Sequence, residues 1–310
     1  MNKWWQRRPR WQKGQKYYKS NARIRFIAPL FLALILMASC GGPSASQGGT
    51  PTPRPTATAY PTPAPTPTSI PTAMPTPTPT SVPKPTPTPT QPPRPTPTLG
   101  PCDTPPGVQR VSPVEIDMGN TGRQRIALTF DAGGPSTPTS SILDILARHH
   151  VHSTFFITGD WANLNPDLVR RIHNDGHEIG NHTMHHIDLR TLPDVEVCNE
   201  LNQANRVISG ITGVTTRPYY RPPYGGRDSR VRSLAANLGY RTVYWTIDTL
   251  DWQMTTTPDS ITRIVMDGLR NGVIVLMHAG SDVEARTLDG LMTKIEQQGY
   301  QMVTITEVLQ

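Results

Sequence analysis

His182 and His186, four residues apart in "NHTMHH", are a pair whose type and spacing suggest chemistry. Neutral imidazole is a common ligand for divalent metals, and a spacing of four puts both rings on one face of a helical turn starting where "HEIGNH" ends. His185 points elsewhere on such a turn and reads as a surface or supporting residue. Asp131 closes the apolar run "RIALTF", where a carboxylate serves as ligand, as general base or simply as a helix cap. "WTIDTLDW" supplies Asp248, Asp251 and Trp252, able to orient other groups or to cap a loop. "YYRPPYGGRD" sets Arg221 and Tyr224 around two prolines that stiffen the backbone. The apolar run "VIVLMH" delivers His278 at its end, a place suited to a general acid.

These groups need a frame, and the segments between them imply one. "RIALTF", "STFFIT", "HEIGNH", "RTVYWTI" and "VIVLMH" are short β-rich runs. Between them come helical stretches, among them "TPTSSILDILARHH", "NPDLVRRIHNDG", "PDVEVCNELNQANRVISG", "DSRVRSLAANLG" and "DVEARTLDGLMTKIEQQG". Several open on Asn, Asp or Thr and stop near Gly, as helix caps require. Repeated β-then-α units predict an α/β fold, a parallel sheet with helices outside it, closed or nearly closed into a barrel. In such folds the reactive residues gather at the C-terminal ends of strands, where the polar motifs fall here.

The first hundred residues belong to another regime. All 23 acidic residues lie after residue 100, whereas 12 of the 30 Lys and Arg lie before it. The remaining 210 residues therefore carry 18 basic against 23 acidic groups, a net −5. The formal +7 of the whole chain is thus the charge of a tail, and a nucleic-acid-binding domain is excluded. Nine of the tail's cations precede the apolar run "FIAPLFLALILM" and then "ASCGG". At about 12 residues, where a membrane span needs roughly 20, the run reads as an export signal. Small residues before Cys40 and two glycines after it resemble a bacterial lipobox, with Met37 where Leu is usual; an uncleaved anchor with an incidental cysteine is the alternative. Residues 1–40 are thus expected to be a signal or anchor segment. Residues 41–108 are almost wholly Pro, Thr, Ser and Ala over most of their length, a disordered tether. At about 3.1 Å per residue, its ~58 most biased residues reach on the order of 180 Å. Both readings place the domain at 109–310 outside the cytoplasm, where Cys102 and Cys198 either form a bridge or stand as two free thiols.

Taken in order, "TFDAGG", "GHEIGNHTMHHIDL", "YRPPYGGRD", "DTLDW" and "LMH" resemble the five motifs of the polysaccharide deacetylase (NodB-homology) family, carbohydrate esterase family 4. The resemblance covers residues 123–310. It implies a distorted (β/α) barrel that removes acetyl groups from N-acetylated sugars with a divalent metal, zinc in the first place and cobalt or nickel as substitutes. By the same resemblance Asp131 is the base, His182 and His186 are metal ligands, and Arg221 positions the base. Tyr224 offers a backbone N–H to the oxyanion, Asp251 orients the catalytic His278, and Trp252 and Leu276 wall the groove. The family's second aspartate, a metal ligand, is replaced by Ala132, which is expected to weaken metal affinity. The expected protein is a monomeric, surface-tethered deacetylase. It meets the membrane through Cys40 or an anchor and acts on peptidoglycan or another acetylated polysaccharide, of the envelope or external. The alternatives are an O-acetyl esterase and a metal-poor carbohydrate-binding domain.

Overall fold

The computed structural model describes residues 100–310. The expected signal or anchor segment, Cys40 and nearly all of the expected tether lie outside the described residues. Eight strands, β1 (Arg125–Ala132), β2 (Thr154–Ile157), β3 (Glu178–Asn181), β4 (Tyr219–Tyr220), β5 (Arg241–Thr242), β6 (Ile247–Asp248), β7 (Ile274–His278) and β8 (Gln301–Val303), form one sheet. Its order is β5-β4-β3-β2-β1-β7-β6, with β8 beside the start of β1, and every pairing is parallel.

The two end strands of that order are joined by only four residues, 243–246. Five Cα steps of about 3.3–3.6 Å bring the two edges within roughly 18 Å of each other, so the sheet curls into a distorted barrel, as the β–α repeats imply. "RTVYWTI" is therefore not the single strand expected from its β-branched and aromatic content. Thr242 pairs with β4 while Ile247 pairs with β7. Between them Val243 bridges to Ile116, and Tyr244 stacks on Trp245 at 3.8 Å.

Helices α1 (Thr139–Arg148), α2 (Gly159–Leu164), α3 (Pro166–Asn174), α4 (Asp194–Thr212), α5 (Ser229–Asn237), α6 (Pro258–Gly268), α7 (Asp282–Gln297) and α8 (Ile305–Val308) fall between or after the strands, with two of them, α2 and α3, between β2 and β3 and none between β5 and β6. Side-chain caps start several of them: Thr158 before α2, Asp228 before α5, Thr257 before α6 and Ser281 before α7. Gly213, at φ 78°, ends α4 in the left-handed turn that a side chain would resist. Strand β1 is buried along nearly all its length, as a parallel strand covered on both faces must be. Ile126, Leu128, Phe130 and Ala132 join the apolar cluster shared with α1, α3 and α7, leaving Ala127, Thr129 and Asp131 for the barrel side. Cys102 and Cys198 are bridged, with Cα atoms 5.2 Å apart, and Asn202 donates to the Pro101 carbonyl. Contacts with the domain thus begin ahead of the boundary at 109 set from composition. No helix among the described residues is long and apolar enough to cross a membrane.

Candidate active site at the barrel rim

Register sets the centre of the site. Asp131, at the end of β1, lies directly across from His278 at the end of β7. Arg221, just after β4, is fully buried. Its Nη1 donates to Asp131 Oδ1 at 2.8 Å and to Thr129 Oγ1 at 2.8 Å, and its Nη2 donates to the Tyr244 carbonyl at 3.1 Å. The guanidinium also lies 4.2 Å from the Phe156 ring centroid. Burial would raise the Asp131 pKa, but Arg221, then His182 and His278, outweigh it and hold the carboxyl below its usual range. Asp131 is thus ionised and aimed, one oxygen tied to Arg221 and the other 3.5 Å from His182 Nε2.

Across from it, Asp251 grips His278 twice. Its Oδ1 accepts from His278 Nδ1 at 2.6 Å, and its Oδ2 accepts the His278 backbone N–H at 2.9 Å. Ser281, the α7 cap, donates to the Asp251 carbonyl at 3.1 Å. Burial works against charge on His278, yet Asp251, Asp131 and Asp248 together raise its pKa. One end of the site therefore holds a deprotonated acid and the other an imidazole that keeps its proton.

Behind this pair sits Glu284, in the first turn of α7, fully buried with neither carboxyl oxygen hydrogen-bonded. Burial, then the charge of Asp251, pushes its pKa well above 4.5. The fold thus favours the protonated form. Its full stability is present below the ordinary glutamate range and is lost as pH climbs toward the raised pKa, because only the unfolded chain ionises freely. Glu284→Gln is expected to melt with the wild type near pH 4 and above it at pH 8, since each tenfold difference in proton affinity between folded and unfolded chain is worth about 1.4 kcal/mol. A melting difference that does not change with pH would contradict this.

The two histidines meet by a different route from the one their spacing implies. Residues 182–188 form no helical turn; Thr183 and His186 take left-handed conformations, φ 69° and 57°. The bent loop still brings the rings to 4.9 Å between centroids. His182 commits Nδ1 to the Arg221 carbonyl at 2.8 Å, leaving Nε2 toward Asp131. That is the usual way a protein orients an imidazole for a metal. Burial lowers both imidazole pKa values, that of His186 to about 3, so both rings are neutral donors. Two neutral imidazole nitrogens are donors of the kind a divalent cation takes. Among the described residues no group of three or more His, Cys, Asp or Glu is arranged to hold a metal ion. Ala132, 1% exposed, contributes only a methyl group and packs in the apolar cluster. The backbone just after it lies against the pair: a Cβ added to Gly133 would sit 3.4 Å from His186 Cδ2.

Tyr224 and Trp252 stand exposed at the rim, Tyr224 with its ring 4.7 Å from that of His186. Leu276 is 4% exposed and paired with Thr129, two residues before His278 on β7. His185 bonds Glu200 through Nδ1 at 2.6 Å. The structure thus assembles Asp131, His182, His186, Arg221, Tyr224, Asp251 and His278. It adds Thr129, Asn181, Glu200 and Glu284, which sequence reading passed over. Glu200 alone left a signal, an acid at the buried stripe of α4 among Val197, Leu201 and Ala204.

An ionised carboxylate beside a carboxylate-held imidazole at the C-terminal rim of a parallel barrel is an arrangement suited to general acid–base chemistry. Residues 118–243 match the polysaccharide deacetylase family. Over 196 residues the chain is 35% identical to the peptidoglycan-N-acetylmuramic acid deacetylase PdaA of Bacillus subtilis, covering 62% of this chain and 74% of PdaA. It is also similar in structure to a CE4 family pseudoenzyme from Bacillus anthracis, 32% identical, with a TM-score of 0.62 over 64% of this chain and 70% of that one. A mutant of that pseudoenzyme with restored enzymatic activity is 34% identical, with a TM-score of 0.62 over 64% and 72%. The chain belongs to the polysaccharide deacetylase family.

Proposed function

We propose that this protein hydrolyses the N-acetyl groups of a GlcNAc-containing polymer, peptidoglycan or a chitin-like chain, outside the cytoplasm. The observation that carries this reading is the opposed pair across β1 and β7, Asp131 fixed by Arg221 and His278 fixed by Asp251. A binding module has no use for a base and a protonated acid facing each other.

An amide carbonyl is a weak electrophile. A divalent metal at His182 and His186 would polarise it and acidify the attacking water. Asp131 takes the proton from that water, with Arg221 keeping the carboxylate ionised and pointed. The backbone N–H of Tyr224 serves the oxyanion. His278 then hands its proton to the departing sugar amine, and Asp251 stabilises the imidazolium until it does. The export signal and Pro/Thr-rich stretch support action at the cell surface, with Cys40 as the lipid attachment point.

Rate is expected to follow a bell against pH. It falls in acid as Asp131 gains a proton, below the ordinary carboxylate range, and in base as His278 loses its own, above the ordinary histidine range. A profile with no loss on the basic side would remove His278 from the acid role.

Ala132 favours a second reading, a carbohydrate-binding domain that holds metal poorly or not at all. Acetate release from N-acetylated glucosamine oligomers and peptidoglycan, with zinc content measured on the same preparation, separates the two. Acetate in proportion to bound zinc supports the enzyme. Oligosaccharide binding with no acetate at saturating zinc overturns it, and acetate from O-acetylated polymer alone points to the esterase.

A further inference from the structure

The loop from His182 to His186 brings two imidazoles together without a helix to space them, and two of its non-glycine residues, Thr183 and His186, are left-handed. Such a conformation costs energy at each residue and persists only where the surroundings impose it. The hydrogen bonds show what imposes it. Each of the four amides 183–186 ends on a side-chain oxygen. Thr183 N–H donates to Asn181 Oδ1 at 2.8 Å, and His186 N–H to Thr183 Oγ1 at 3.2 Å. The middle two, Met184 N–H at 3.0 Å and His185 N–H at 2.9 Å, converge on one oxygen, Glu200 Oε2. The other oxygen, Oε1, takes His185 Nδ1 at 2.6 Å. On its far side the loop docks through the Thr183 and Met184 carbonyls, which accept from Gly159 and Asp160 at the start of α2.

We propose that Glu200 is the positioning residue of the histidine pair: one buried carboxylate on α4 shapes the loop so that His182 and His186 face a common point. A carboxylate receiving consecutive amide N–H groups is a close electrostatic match, since the charge lies where two backbone dipoles converge. Glu200 is 7% exposed, so water competes poorly for those amides. Without it, Met184 and His185 N–H groups would seek other acceptors and the loop would relax toward ordinary dihedral angles, parting the rings. His185 is the clasp on the outer face, its ring holding the second oxygen.

The proposal rests on reading His182 and His186 as the metal pair, so its test reads the loop and the metal separately. Two measurements on the full chain suffice: hydrogen exchange at the amides 183–186 without metal, and titration with cobalt(II). Glu200→Ala is expected to speed exchange at Met184 and His185 by tenfold or more. Cobalt affinity should fall about 10–100-fold, the usual effect of losing a residue that orients metal ligands. Glu200→Gln keeps one carbonyl oxygen for the amides but loses the charge that both the amides and the His185 ring meet, so it should fall between. Unchanged exchange in either variant overturns the proposal, as does wild-type cobalt affinity with exchange accelerated. If Glu200→Ala does not fold, Glu200→Gln decides alone, and its retention of full cobalt affinity defeats the idea. A wild-type chain that binds no cobalt rejects the metal reading itself, and the shaping role is then decided by exchange.

Discussion

Ala132→Asp is expected to bind zinc or cobalt at least tenfold more tightly than the wild-type chain and to release acetate faster when metal is limiting. The added carboxylate would bring a third, anionic ligand to two neutral imidazoles, with direct charge attraction to the cation. The position makes the experiment sharper than a plain gain of affinity. Ala132 is almost fully buried among apolar side chains, so without metal the new carboxyl has nothing to bond and should cost about 1–3 kcal/mol of stability. Metal should restore it. A variant destabilised without metal, rescued by zinc and more active is the signature of a weakened but real site. Tighter metal with slower turnover would mean that the small side chain serves a different substrate geometry. The pleat of β1 offers the contrary outcome: by alternation the Ala132 methyl shares the helix-facing side with Phe130, opposite to Asp131. A variant that loses stability, gains no metal affinity and is not rescued would show that position 132 does not reach the histidines.

Asp131→Asn and His278→Ala should each lower acetate release by a hundredfold or more, yet they should differ in melting. Arg221 is fully buried, and Asp131 is its ion-pair partner at 2.8 Å. Taking away that partner leaves an uncompensated interior charge, at roughly 3–5 kcal/mol. The His278 side chain is 23% exposed and that of Asp251 0%; without the ring Asp251 still accepts the backbone N–H of residue 278, and water can enter the space the ring vacates, so this variant should lose less stability than Asp131→Asn. Near-normal turnover in either variant, measured per folded molecule, would unseat the proposed roles. Equal melting of the two would show that the arginine finds another counter-charge.

Much of this site could be read before the fold was known, because strand ends are visible in a sequence. Asp131 follows "RIALTF" and His278 closes "VIVLMH", and a polar residue ending an apolar run in a β/α repeat falls at the barrel rim. What could not be read depends on contacts distant in the chain or on dihedral angles that spacing does not encode. The interval between His182 and His186 suits a helical turn, but Asn181 and Glu200 supply a different set of acceptors and the backbone follows them. Strand β4 has two residues, wedged between prolines 218 and 222, too few for a period to register. Nor could "RTVYWTI" announce that it divides between two neighbours, since β propensity says nothing about which strand a residue will pair with.

The Cys102–Cys198 bridge gives the domain a mechanical property. A pull arriving from the chain ahead of residue 100 meets a covalent link at Cys102 and passes directly to the second turn of α4, across 96 positions of sequence. Residues 103–197, which carry β1, Asp131, His182 and His186, hang in a closed loop beside that load path rather than in series with it. Tension entering at residue 100 is therefore borne by the bridge and α4 and does not peel away β1, on which Asp131 stands.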